Sequence, residues 1–455
     1  MNEREILRQT ADAAADFLET LETRPVRPDE RDVERLLASL GGPLPEDGLD
    51  PRAVVAALVE DATPGVVGIP SGRYFGFVIG GSVPAALAAD WLTSAWDQNA
   101  GLYVIGPAAS AVEEICRGWL AELLGLPPHV SVAYVTGCQM AHVTVLAAAR
   151  HHVLAAAGWD VAQDGLAGAP PIRVVVGAKR HVTIDRALRL LGIGTTSLEV
   201  VPADSQGRMR VDELRLGDGP TIVCGQAGEV NTGAFDDLDA IADAAAEAGA
   251  WFHVDGAFGL WAAASPRLRH LVKGAERADS WATDGHKWLN VPYDSGLAFC
   301  AHPDSHRAAM SVTASYLEHA EDARERDPVD WTPEFSRRAR GFAVYAAIRS
   351  LGRAGIAEIV ERCCANAQRF AEQLEAGGAT IVNDVVLNQV LVRIGDGERT
   401  RETIARVQRD GTCWLGGTDW NGEHAMRISV SNFRTTPEDV DRSVAAILAA
   451  AAVPA

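Results

Sequence analysis

The chain contains no run of about eighteen apolar residues, so it offers no candidate membrane-spanning helix. Its first residues, Met1-Asn2-Glu3-Arg4-Glu5, are charged and lead into no apolar core segment, which argues against a signal peptide. Disulfide chemistry is equally poorly supplied. The seven cysteines, at 116, 138, 224, 300, 363, 364 and 413, are odd in number and form no C-x-x-C pair. That pattern fits reduced thiols in a cytoplasm better than a disulfide framework. Basic charge is in deficit, with 41 Lys and Arg against 61 Asp and Glu and a net charge of −20, which excludes nucleic acid or an anionic membrane as a natural partner. No G-x-G-x-x-G follows a strand, no Walker A sequence occurs, and no Cys/His cluster has zinc spacing, so no metal is expected. His151 and His152 are adjacent on a helix, face different directions and make no ligand pair. Internal repeats are absent, and the one compositional bias is alanine. A soluble, cytoplasmic protein is expected.

At 455 residues the chain exceeds one compact core, and two or three substructures are expected. A hydrophobic content of 47% with 22% charged residues is that of an ordinary globular protein. Residues 2–24 repeat apolar positions at helical spacing until Pro25 and Pro28 break the pattern; further helices are predicted over 30–40 and 51–61. These make a helical N-terminal segment, 1–70. From 71 to 325 strands alternate with helices, the pattern of an α/β domain with a mostly parallel sheet. Strands are predicted at 132–136, 174–176, 221–224, 251–254 and 278–283, with helices at 85–96, 111–124, 141–157 and 237–248. A charged linker, 318–333, opens the last part, 326–455. There, helices over 336–350 and 355–376 and short strands at 379–382, 386–392, 412–415 and 425–431 suit a small α+β domain.

Two stretches carry the chemistry. The apolar strand ending Trp251-Phe252-His253-Val254 runs into Asp255 and the small-residue turn Gly256-Ala257. In an open α/β sheet ligands bind at the carboxyl ends of strands, which puts Asp255 at a binding site. Thirty-two residues later Lys287 lies in Asp284-Gly285-His286-Lys287-Trp288, a lysine among aromatics that suits a partly desolvated amine able to form a Schiff base. A carboxylate at a strand end is commonly a cap, and a lysine is commonly solvated. Together they match what pyridoxal phosphate needs: an amine for its aldehyde and an anion to hold its ring nitrogen protonated. A third feature is the strand–turn–helix at Val135-Thr136-Gly137-Cys138-Gln139, where free backbone N–H groups and the helix dipole favour a phosphate.

His253-Val-Asp-Gly-Ala257 followed by Asp284-Gly-His-Lys-Trp-Leu289 resembles the group II pyridoxal-dependent amino-acid decarboxylases, the family of the aromatic amino-acid decarboxylases. The likeness extends over about residues 5–440 and is strongest from 225 to 300. It implies fold type I, the aspartate-aminotransferase-like architecture, with a large cofactor-binding domain, a small C-terminal domain and an N-terminal arm. It implies Lys287, His181 and Asp255 as catalytic residues, with Lys287 holding the cofactor and His181 stacking on its ring. Gly137, Cys138 and Gln139 would cradle its phosphate, His286 would reach that phosphate, and Ala257 and Asn231 would complete the cofactor site. Decarboxylation of an L-amino acid through a Lys287 Schiff base and a quinonoid is the implied reaction, in a homodimer with its site at the interface. The loop containing Tyr74, Phe75 and Phe77 resembles the family's substrate loop or is core filler, and Arg427 either clamps a carboxylate, as in related aminotransferases, or forms a structural ion pair, the reading favoured in decarboxylases.

Departures from the family pattern are specific. Met140 stands where relatives carry an acidic residue, and Glu229-Val230 where Thr-Thr is common, leaving Asn231 and Phe235 as the matching part of that turn. Relatives place a catalytic tyrosine on a loop before the small domain, but Asp322 to Trp331 contains none. Either Tyr316 or a partner-subunit residue replaces it, or the reaction ends differently, as oxidative deamination, carbon–carbon cleavage or amino transfer. No basic cluster marks an acidic side chain on the substrate.

Overall fold

Val174-Val175-Val176 has no polar side chain to solvate, and full burial of each valine is worth about 1.5–3 kcal/mol, so this segment forms a strand only where both faces are covered. A computed structural model describes residues 3–196, 198–312 and 326–453, and there that segment lies inside a seven-stranded sheet. The strands are β1 Ser131–Val135, β2 Arg173–Gly177, β3 Leu198–Val201, β4 Thr221–Gln226, β5 Trp251–Asp255, β6 Ser280–Asp284 and β7 Gly296–Cys300, in the order β1-β7-β6-β5-β4-β2-β3. Five run parallel from β6 to β3, and β7 alone is antiparallel to both its neighbours, β1 and β6. The carboxyl ends of β1, β2, β4, β5 and β6 therefore share one edge. The protein is α/β, with the mostly parallel sheet of fold type I.

Two strands escape a local reading for physical reasons. β3 exposes Glu199 and Val200 at the sheet's edge, and β7 is the small-residue run Gly-Leu-Ala-Phe-Cys, of weak strand propensity. β7 is a strand because β1 and β6 hold it on both sides, in register Val135↔Gly296 and Asp284↔Gly296. Helix Cys138–Ala156 starts three residues earlier than the sequence suggests, so that Cys138 belongs to its first turn. Its buried face, including Leu146, Ala147 and Ala148, packs with Val174, Val176, Ile222 and Trp251 of the sheet.

The described residues fall into two compact units. The larger, Gly80–Ala367 with Asn383–Gln389, holds the seven-stranded sheet. The other comprises Met1–Ile79, Gln368–Val382 and Val390–Ala455. It contains helices Glu3–Glu19, Glu30–Leu40 and Pro51–Ala62, the last two capped by Asp29 and Asp50. Its sheet has four strands, β8 Thr380–Ile381, β9 Gln389–Arg393, β10 Gly416–Trp420 and β11 Glu423–Ser429, in the order β10-β11-β9-β8. β10 thus lies four residues beyond the expected strand at 412. Within this unit the buried Arg73 guanidinium donates to the carbonyls of Leu21, Glu22 and Arg24 at 3.0–3.2 Å. Tyr74 stacks on Trp414 at 5.2 Å and Phe77 on the same ring at 5.7 Å. The two helices expected over 336–350 and 355–376 form one stretch, Gly341–Ala376, interrupted at Gly352, whose φ of 60° needs a residue without Cβ. Among the described residues no helix is long and apolar enough to cross a membrane.

Candidate active site

The shared edge of the sheet opens into a cavity of about 320 Å³. Its walls come from the carboxyl ends of the strands: Gly137, Cys138 and Gln139 after β1, His181 and Thr183 after β2, Gln226 and Val230 after β4, Asp255, Ala257 and Phe258 after β5, and Asp284, His286 and Lys287 after β6. All the cofactor-site residues expected from the sequence meet here except Asn231. That side chain donates to Glu229 Oε1 at 2.8 Å, and its neighbour Val230 lines the cavity in its place.

At one wall stands the Asp255 carboxylate, buried at the end of β5. Oδ1 accepts the Ala257 N–H at 3.2 Å and lies 3.9 Å from the Cys138 thiol; Oδ2 lies 3.6 Å from Nε2 of His142. Burial pushes the carboxyl's pKa up, but His142, with His181 and His253 behind it, outweighs burial and holds it well below the usual carboxylate range. Asp255 is therefore an anion inside the protein. Sγ of Cys138, a ring nitrogen of His142 and a carboxylate oxygen of Asp255 converge within 4.8 Å. Burial raises the Cys138 pKa far above its ordinary value, so with no ion present the thiol keeps its proton and faces His142 and Asp255 as a weak donor.

Asp284 links the other parts. Its Oδ1 accepts the N–H of Cys138 at 2.6 Å, where it caps the first turn of helix Cys138–Ala156, and Oδ2 lies 2.9 Å from Nζ of Lys287. Burial lowers the pKa of the Lys287 ammonium, yet Asp284 more than compensates and leaves it above its usual value. His286 accepts the Ser295 N–H at Nδ1 (3.1 Å), so its Nε2 is the nitrogen turned toward Asp284, 3.5 Å away. Burial favours the neutral ring, which stacks on Tyr293 at 4.2 Å. His181 caps helix Val182–Leu190: its Nδ1 accepts the Thr183 N–H at 3.4 Å and meets Thr183 Oγ1 at 2.8 Å. Gln139 donates to the Thr183 carbonyl at 3.3 Å, tying the first helix turn to the His181 turn.

Sequence reasoning gave Asp284 and His142 no role. Asp284 sits inside the most recognisable stretch of the chain, but nothing local shows that it meets Cys138, 146 positions away. His142 carried a faint signal, being one helical turn from Cys138. Tyr316 and the linker residues 318–325 lie outside the described residues.

A primary amine, a buried anionic carboxylate, a helix N-terminus and a flanking imidazole around one cavity are the donor set that pyridoxal phosphate requires. A Cβ on Gly137 would stand 3.2 Å from His286 Cε1, so the glycine leaves the turn open beside that ring. Sheet and site together define a fold type I pyridoxal-phosphate enzyme. Residues 45–394 match the pyridoxal-dependent decarboxylase conserved domain, and the chain belongs to that family of carboxy-lyases acting on amino acids. It is 28% identical to tryptophan decarboxylase 1 of Oryza sativa subsp. japonica over 94% of this chain and 90% of that protein. It is 26% identical to 4-hydroxyphenylacetaldehyde synthase of Rhodiola rosea over 94% and 91% of the two chains. A crystal structure of Oryza sativa TDC with PLP and tryptamine superposes with a TM-score of 0.91 at 25% identity, covering 98% of this chain and 97% of that one.

Proposed function

We propose that this enzyme decarboxylates an L-amino acid to the corresponding amine, with Lys287 as the residue that carries pyridoxal phosphate. The observation that carries the reading is that Lys287, Asp255, His181 and the Gly137–Gln139 turn line one cavity. Bound there, the cofactor supplies an aldehyde that captures the substrate amine and a ring that accepts the electrons of the Cα–carboxylate bond. Asp255, an anion in a desolvated wall, holds the proton on the ring nitrogen. The first-turn N–H of Gln139 and Nε2 of His286 would bind the phosphate, the Cys138 N–H being taken by Asp284. His181 would cover the ring face, its Nδ1 held by the Thr183 turn. Lys287 would hold the cofactor through Nζ, and Asp284 Oδ2, 2.9 Å away, is the partner through which that nitrogen can gain or lose a proton. Phe258 and Val230 give one side of the cavity an apolar lining.

A second reading keeps the scaffold and changes the product. Asp322 to Trp331 lacks the family's tyrosine, and one relative is named for an aldehyde product. Decarboxylation coupled to oxidative deamination, with dioxygen as the two-electron acceptor and hydrogen peroxide as the by-product, fits both facts. The proposal also includes a cytoplasmic location, supported by the cysteine pattern, and a homodimer, supported by family likeness alone.

The deciding experiment incubates the purified protein with pyridoxal phosphate and a panel of L-amino acids and follows visible absorbance, CO2 and product mass together. CO2 with the matching amine, and loss of both the visible band and turnover in Lys287→Ala, supports the first reading. CO2 with aldehyde and ammonia supports the second. A Lys287→Ala variant that keeps the band and the activity refutes the assignment of Lys287.

A further inference from the structure

Behind Asp255, on the side away from the cavity, lies a line of buried polar side chains that the mechanism above leaves unused. His142 Nδ1 meets His253 Nε2 at 3.0 Å, and His253 Nδ1 meets Ser280 Oγ at 3.0 Å. Ser280 Oγ in turn accepts the indole N–H of Trp251 at 2.9 Å. His142, His253 and Ser280 are all inaccessible to solvent. They come from helix Cys138–Ala156, β5 and β6, so three separate elements converge on one carboxylate. Buried polar groups without purpose are costly, since each must be desolvated and fully paired.

We propose that His142, held in place by His253 and Ser280, is the positioning residue that fixes Asp255 as the anionic partner of the cofactor's ring nitrogen. This rests on the reading in which Asp255 faces that nitrogen. The hydrogen-bond chain fixes the direction of the effect. Ser280 accepts from Trp251, which leaves its own hydroxyl proton for Nδ1 of His253; Nε2–H of His253 then donates to His142 Nδ1, and Nε2–H of His142 faces Asp255. If His142 holds a second proton the directions within the chain reverse, but its Nε2–H still faces the carboxylate. In the remaining arrangement Nε2 would accept from the Cys138 thiol 3.4 Å away, and the carboxylate 3.6 Å away disfavours the lone pair this turns toward it. Burial supports the same conclusion, because without a donor on this side a fully desolvated carboxyl keeps its proton, and a neutral acid cannot hold a proton on the ring nitrogen.

Two amide substitutions separate this role from simple packing. His142→Gln keeps a donor near the position of Nε2, toward Asp255; His142→Asn keeps a polar atom near the position of Nδ1, toward His253, and withdraws the one facing Asp255. Each holoenzyme is loaded with cofactor isotope-labelled at its ring nitrogen, whose resonance distinguishes the protonated from the unprotonated ring. Thermal midpoint and cofactor content are measured alongside. The expected result is a wild-type resonance in His142→Gln and a shift toward the unprotonated ring in His142→Asn. In the Asn variant kcat should fall on the order of ten- to hundredfold with little change in KM, the scale seen when outer-shell partners of a site are removed. A wild-type resonance in His142→Asn, or equal shifts in both variants, overturns the proposal. Asp255→Asn serves as the reference: if its resonance is also unchanged, Asp255 is not the ring-nitrogen partner and the underlying reading fails. A shift in Asp255→Asn with none in His142→Asn overturns the role of His142 alone.

Discussion

Gly296→Ala tests the architecture of the phosphate cradle most directly. Gly296 opens β7 between Val135 of β1 and Asp284 of β6, so the sheet holds it from both sides. An alanine Cβ there would stand 2.4 Å from Gly137 Cα, 2.5 Å from its carbonyl carbon and 2.6 Å from its nitrogen. Ordinary contact begins near 3.4 Å, and all three obstacles are backbone, so the two segments must part by about 1 Å. The sheet strand is the stiffer partner, which leaves the Gly137 turn to move. Overpacking of this kind costs about 1–3 kcal/mol. At roughly 2–4 °C per kcal/mol the melting midpoint should fall by several degrees. A 1 Å displacement also takes the Gln139 N–H group out of hydrogen-bonding range of a bound phosphate. A hydrogen bond to a charged group is worth about 1.5–3 kcal/mol, so cofactor affinity should drop roughly ten- to hundredfold. Titrating the apo protein with pyridoxal phosphate and following the visible band measures this. A cofactor Kd within about threefold of wild type, in a variant whose midpoint does fall, would refute the placement of the phosphate on this turn.

Other substitutions should behave as follows. Gly118→Ala lies in helix Pro107–Leu124 with nothing within 4 Å of the new methyl, and should raise stability by about 0.5–1 kcal/mol with cofactor binding unchanged, a matched control for Gly296→Ala. Glu113→Ala strands the guanidiniums of Arg326 and Arg337, which its carboxylate binds at 3.0 and 2.8 Å, and should cost about 3–5 kcal/mol in urea unfolding. Burial holds both His253 and His306 down to about 3, so below pH 6.5 the unfolded chain takes up two protons that the folded chain refuses. Stability must then fall as pH drops from about 6 toward 3, by about 1.4 kcal/mol per pH unit for each ring. His306→Gln should remove about half of that slope, read from unfolding midpoints across the pH range; an unchanged slope would show that His306 titrates in the folded protein.

Family, cofactor class and local scaffold were legible in the chain segment by segment. An apolar run ending on Asp255, a lysine among aromatics at 287 and a strand–glycine–helix turn at 137 are local patterns, and local pattern carries period, turn chemistry and motif spacing. Tertiary structure decided which buried polar group meets which. β7 is a strand because β1 and β6 hold it, not because Gly-Leu-Ala-Phe-Cys favours one. Asp284 reaches Cys138 and Lys287 because β6 ends beside the turn after β1, which only the strand order β1-β7-β6 brings about. His142 reaches Asp255 because helix Cys138–Ala156 packs on the strands that include β5, and the grouping of the N-terminal helices with the C-terminal sheet is likewise a matter of contacts across hundreds of residues. A side chain's type and its place on a strand or helix are written locally. Its partner across the fold is set by how the strands are ordered and packed, and a single sequence read segment by segment carries no record of that order.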